Sequence, residues 1–134
     1  MLPVNCGSHA DYQDFVVTHL CKYYPDPDAL ARSTWDIIER FWNLDLSFTD
    51  TFMADKYSKF GPAPRTPSCM QRSYLLSIDF KVTSLTEWAA QLKMNPLYAI
   101  LSGFEPGNTP GVGTFYDFIN RLWNSDDTQF FLKE

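Results

Sequence analysis

Cysteine is scarce in this 134-residue chain, and Cys6, Cys21 and Cys69 are odd in number and scattered. That spacing excludes a disulfide framework and leaves reduced thiols as the expectation. Long apolar runs are missing as well. No stretch approaches the roughly 20 residues a membrane span needs, and the start lacks the basic-then-apolar order of a signal peptide. A soluble, cytoplasmic protein with no membrane partner is expected. Sustained period-two alternation with β-branched enrichment is absent too, so almost no sheet is expected. Histidine is limited to His9 and His19. His19 and Cys21 would point to different sides of a helix, zinc would need four convergent ligands, and no metal site is expected. No nucleophile can be given a base partner, so no catalytic residue is assigned. The acidic pairs Asp11/Asp14, Asp26/Asp28 and Asp126/Asp127 fall at helix starts and solvated ends.

What the chain has in quantity is rings. Aromatics make up 16% of it (11 Phe, 7 Tyr, 4 Trp) and apolar residues 45%. This excludes disorder and suits one domain with a core of large side chains. The net charge of −5 is unevenly spread. Residues 1–55 hold 3 Lys/Arg against 9 Asp/Glu, residues 56–104 hold 6 against 2, and residues 105–134 hold 2 against 5. An acidic start, a basic middle and an acidic end follow. The basic middle is where a nucleic-acid face would lie.

Every apolar pattern has helical spacing, and every break carries proline or glycine. Ser8 is expected to cap a helix over about 9–24, with Phe15, Val16, His19, Leu20 and Tyr23 inward. Asp26-Pro27 reads as the start of a second helix to about Asn43, with Asp36 and Arg40 paired outside. A short third helix is expected within 47–57. Residues 61–67, rich in proline, form a connector between the acidic helices of 1–60 and the rest. Ser68 is read as the cap of a helix to about Val82 whose apolar residues nearly encircle it, marking it as central. Ser84 starts a helix with Glu87 as capping-box partner, and Asn95-Pro96 restarts the chain.

The stretch GFEPGNTPGVGTFYDFINRLW, Gly103 to Trp123, opens as a shaped loop with four glycines and two prolines in eleven residues. A phosphate cradle is rejected for it: no Gly-Lys-Ser/Thr follows, and prolines remove amides a phosphate would need. Thr114 is read as the N-cap of a final helix, with Asp117 as its partner. The helices at about 84–93, 96–102 and 114–123 make a helix-turn-helix-like C-terminal half. Asn120 and Arg121 have the chemistry to read base edges, while Arg72, Lys81 and Lys93 would contact phosphates. Thr114 joins them as a candidate DNA-binding residue.

From SLTEWAAQLKMNPLYAILSGF through PGVGTFYDFINRLW, the chain closely resembles the N-terminal domain of bacterial insertion-sequence transposases of the DDE (RNase H-like) type. The resemblance covers roughly residues 60–124, and Pro110–Trp123 is its most specific part. It implies an all-α, compact multi-helix domain that recognises transposon ends, the terminal inverted repeats, and is non-catalytic by itself. The tail 125–134 would lead toward a catalytic domain absent from this chain, the only place where a divalent metal is expected. No cofactor is expected here, and a homodimer is a further expected partner, with the acidic residues 1–58 as its surface. The alternative from the residues alone is a helical interaction or dimerisation module that binds no nucleic acid.

Overall fold

The computed structural model describes residues 8–53 and 65–123, and among them every regular element is helical. Helix α1 spans His9–Tyr23, followed by a 3-10 turn at Pro27–Ala29 and α2 at Arg32–Asn43. Residues 48–53 are helical (α3). Then come α4 (Pro67–Asp79), α5 (Leu85–Met94), α6 (Pro96–Ser102) and α7 (Val112–Trp123). The end expected for the third helix, the connector at 61–64 and the tail 125–134 lie outside the described residues. The all-α architecture read from the sequence is the one observed.

The hub is α6. It packs against α1, α2, α4 and α5, and Leu97, Ala99, Ile100, Leu101 and Ser102 are all buried in it. A helix enclosed in this way must satisfy its end groups inside the protein. At the start, the Asn95 side chain accepts from Leu97 N at 3.0 Å. At the finish, Gly103 adopts the left-handed conformation (φ 100°). Gly103 N donates to Ile100 O at 3.0 Å and Phe104 N to Ala99 O at 2.9 Å, the two crossed bonds of a Schellman cap. The Leu101 carbonyl is reached from outside, by the Tyr12 hydroxyl of α1 at 2.7 Å. Ser102 Oγ donates back to Tyr98 O at 2.8 Å.

The other helices close round this hub through rings. Trp88 of α5 is fully buried, donates from Nε1 to Ser73 Oγ of α4 at 2.9 Å, and stacks on Tyr98 at 5.0 Å between centroids. Small residues on α4 make room: Cys69, Ser73 and Ser77 recur every four positions, and all are buried. Helices α1 and α2 are tied by a reciprocal pair, Gln13 Nε2 to Trp42 O (3.0 Å) and Trp42 Nε1 to Gln13 O (3.2 Å). Phe115 and Phe118 carry α7 into the same core.

Several local expectations are corrected. Helix α4 is not encircled: Tyr74 and Ile78 are exposed, and the enclosed helix is α6. Its N-cap is Thr66. Ser68 instead donates from N (2.8 Å) and Oγ (3.0 Å) to the Asp50 carboxylate of α3. Burial pushes the Asp50 pKa up, against the Ser68 bonds and the Arg72 charge, which lower it. The second helix does not run unbroken from Pro27, because Leu30 and Ala31 take extended conformations before Arg32. Arg40 pairs with Asp79 of α4 at 2.9 Å rather than with Asp36. Helix α7 begins at Val112, so Thr114 lies within its first turn.

Helix α4 also ends in a Schellman cap, with Val82 N to Ser77 O at 2.9 Å and Lys81 N to Ile78 O at 3.0 Å. Here the left-handed position is held by Lys81 (φ 61°), where glycine carries no Cβ penalty. Two substitutions should therefore move stability in opposite directions. Lys81→Gly is expected to raise it by about 0.5–1 kcal/mol, and Gly103→Ala to lower it by about 1–2 kcal/mol. Urea denaturation of the two variants checks both signs.

Candidate nucleic-acid interface

The six residues assigned to DNA do not form one surface. Arg72 is 2% exposed, its guanidinium lying over the Tyr12 ring at 3.7 Å from the centroid. One of its terminal nitrogens reaches Cys69 Sγ at 4.0 Å, and among the described residues its Nε has no hydrogen-bond partner. Among the described residues no carboxylate comes within ion-pairing distance of it. Its charge acts at longer range on Asp45 and Asp50. As folded, Arg72 is a core side chain that uses its apolar stem and planar face. The expected phosphate contact is corrected on that ground.

Arg121 is only 13% exposed and is held by Asp117 four residues back, Nε to Oδ2 at 2.9 Å. That same Asp117 was read as the capping partner of Thr114; the ion pair takes it instead. Arg65, elsewhere in the basic middle, is also engaged. It donates to Asn108 O (2.8 Å) and Asn108 Oδ1 (3.1 Å), and burial pulls its pKa below the ordinary arginine value. Lys81, Lys93 and Asn120 are exposed, and Thr114 is half-buried. What remains at the surface is two lysines and an amide.

The loop between α6 and α7 is shaped by its own residues and clamped from two sides. Glu105 to Asn108 makes a turn closed by Asn108 N to Glu105 O at 2.9 Å. Pro106 and Gly107 (φ 87°) fill its second and third positions, as a type II turn requires. Arg65 holds Asn108. His19 of α1 holds Glu105 through Nε2 at 2.9 Å, with Nδ1 on Phe15 O at 2.9 Å and the ring stacked on Phe15. This loop is a structural turn, and it delivers the chain to α7.

Two features of that delivery were not visible in the sequence. Gly111 and Gly113, at the start of α7, stand in open space: a Cβ built on either would meet nothing within 4 Å. Neither has a left-handed φ, so nothing within the described chain requires them to be glycine. The second feature is a groove of ≈ 670 Å³ between α4, the 80–84 turn, the start of α5 and α7. Tyr74, Ile78 and Tyr116, which border it, are 40%, 59% and 53% exposed. Helical periodicity had placed all but Tyr116 in the core.

Among the described residues no group of three or more His, Cys, Asp and Glu converges as metal ligands would, and no helix is long and apolar enough to cross a membrane. Compared with protein-family models, curated proteins and solved structures, the chain finds no match in any of the three.

The buried placement of Arg72 has a direct test. Arg72→Ala should lower stability by about 2–4 kcal/mol through lost packing on Tyr12. Lys93→Ala, at an exposed position, should change stability by no more than about 0.5 kcal/mol. Chemical denaturation of both variants measures the difference.

Proposed function

We propose that this chain is the N-terminal, non-catalytic domain of an insertion-sequence transposase of the DDE type. In this reading it contacts the terminal inverted repeats through the start of α7 and helps assemble the element ends. The observation that carries it is the open setting of Gly111 and Gly113. These glycines belong to the Pro110–Trp123 run that resembles such transposases, and nothing among the described residues needs them small. Glycine is favoured where another backbone approaches closely. The N-terminal end of a helix favours a phosphate through its free amides and dipole.

The contact would be light in charge. In residues 65–123, Lys81 and Lys93 are the exposed cations, because Arg65, Arg72 and Arg121 are engaged within the fold. Asn120, exposed on α7, is the side chain left to read a base edge. A second reading, an interaction module that binds no nucleic acid, draws on the same withdrawal of arginines and on the apolar groove beside α7.

Fluorescence anisotropy with the element's terminal repeat and a scrambled duplex, over a range of salt concentrations, tests the proposal. Two phosphate-contacting lysines predict a slope of log K against log salt of about −2, falling by about one for Lys81→Ala. Gly113→Ala is the sharper variant. It should stabilise the fold by about 0.5–1 kcal/mol, since alanine is the better helix former, while weakening binding to both duplexes. No binding by the wild-type chain even at low salt would leave the interaction module as the function.

A further inference from the structure

The groove between α4 and α7 brings two tyrosines and one lysine to a single opening. Tyr74 and Ile78 come from α4, Tyr116 and Ile119 from α7, and Lys81 from the turn after α4. Among the described residues neither tyrosine is paired with another ring, although rings pair at several other places in the fold. Lys81 is the single charge among the lining residues, and no carboxylate stands among them. It occupies a left-handed position (φ 61°), where glycine would suit the backbone better. Strain of this kind points to a use for the side chain. The Ser77 and Ser84 hydroxyls are already engaged, on Tyr74 O at 2.6 Å and by Glu87 N at 3.3 Å. The groove therefore offers ring faces, aliphatic walls and one cation, with little directed hydrogen bonding.

We infer that the groove takes unpaired nucleotides of a DNA end, with one or two bases stacked on Tyr74 and Tyr116 and a phosphate on Lys81. On the DNA-end reading, on which this rests, the groove takes single strand while the start of α7 meets duplex. Three properties select that occupant. Every base has a flat π-face, so stacking on tyrosine needs no directed hydrogen bonds and tolerates any sequence. The phosphate beside each base supplies the negative charge that the lining residues lack, and Lys81 keeps its role as a phosphate contact. A second copy of the chain is disfavoured, because a two-fold contact, groove to groove, would set one Lys81 against the other. Size agrees: ≈ 670 Å³ lies within the roughly 300–1,000 Å³ of small-ligand sites. Tyr116 follows Gly113 by three residues on α7, so the strand and the duplex contact would be neighbours.

The test is methyl-resolved NMR and anisotropy of the full 134-residue chain with a short oligothymidylate, run beside the terminal-repeat duplex. The oligothymidylate should shift the Ile78 and Ile119 methyls and leave those of Ile100 and Leu101 in place. Tyr74→Leu and Tyr116→Leu, both at exposed positions, should each weaken its binding by roughly 5- to 100-fold. Tyr74→Phe and Tyr116→Phe, which keep the ring, should bind it as the wild type does. Lys81→Gly should move the slope of log K against log salt from about −0.7 to near zero. That substitution is expected to stabilise the fold, so unfolding cannot account for the change. Groove methyls that ignore the oligothymidylate would overturn the inference, and so would leucine variants that bind it undiminished. In either case duplex binding by the same chain leaves the DNA-end reading standing, and binding to neither removes both. Groove methyls that move with protein concentration instead would assign the groove to a second copy, against the inference.

Discussion

A helix of seven residues can be surrounded by protein only if its backbone ends find partners there, and the rest of this fold is arranged to provide them. Helix α6 has Asn95 at its start and Gly103 with Phe104 at its finish. A further end carbonyl, that of Leu101, receives the Tyr12 hydroxyl from α1. An unpaired buried carbonyl would cost on the order of 1–3 kcal/mol, so this one bond places α1 across the end of α6. Tyr12 then serves twice, since its ring face is where the Arg72 guanidinium lies. The hub, the α1 crossing and the buried arginine are one connected arrangement.

That arrangement changes the meaning of the charge pattern. The sequence has a basic middle, and a basic middle suggests a basic surface. In the fold, Arg72 is spent in the core, Arg65 on the loop at Asn108, and Arg121 on Asp117, while Arg40 from the acidic part bridges to Asp79. Guanidinium suits such work because it offers a flat face and several directed donors. Among the described residues the lysines, strongly hydrated point charges on flexible stems, remain outside. The exposed candidates, Lys81, Lys93 and Asn120, are fewer than the residue count implied, and Lys81 lines an apolar groove.

The legible parts of the fold are those with local causes. Ser8 accepts from Asp11 N and Ser84 from Glu87 N, and Asn95-Pro96 restarts the chain where it was expected to. Each is a hydrogen bond between residues two or three apart, so the sequence alone carries it. The all-α architecture follows from periodicity for the same reason. What was not legible depended on distant partners. Arg40 had Asp36 at pairing distance along its helix, yet Asp79 took it. Ser68 had the chemistry of a cap, yet its bonds go to Asp50. Helix α4 has more apolar residues than α6, but its run of Cys69, Ser73 and Ser77 meets the core as a narrow small-residue face, which leaves Tyr74 and Ile78 outside. The candidate site divided along the same line: Lys81, Lys93 and Asn120 were legible as surface, while the burial of Arg72 was set by Tyr12, sixty residues earlier.

The central claim is that α6, short as it is, is the most firmly enclosed element, and native-state hydrogen exchange measures this directly. The amides of Ile100, Leu101, Ser102 and Gly103 should exchange only through global unfolding, with the free energy and denaturant dependence of the whole protein. Tyr12→Phe should lower that free energy by about 1–3 kcal/mol, because it strands the Leu101 carbonyl. If these four amides exchange through local openings well below the global value while α4 or α7 stays protected, α6 is not the hub and this account of the fold is wrong.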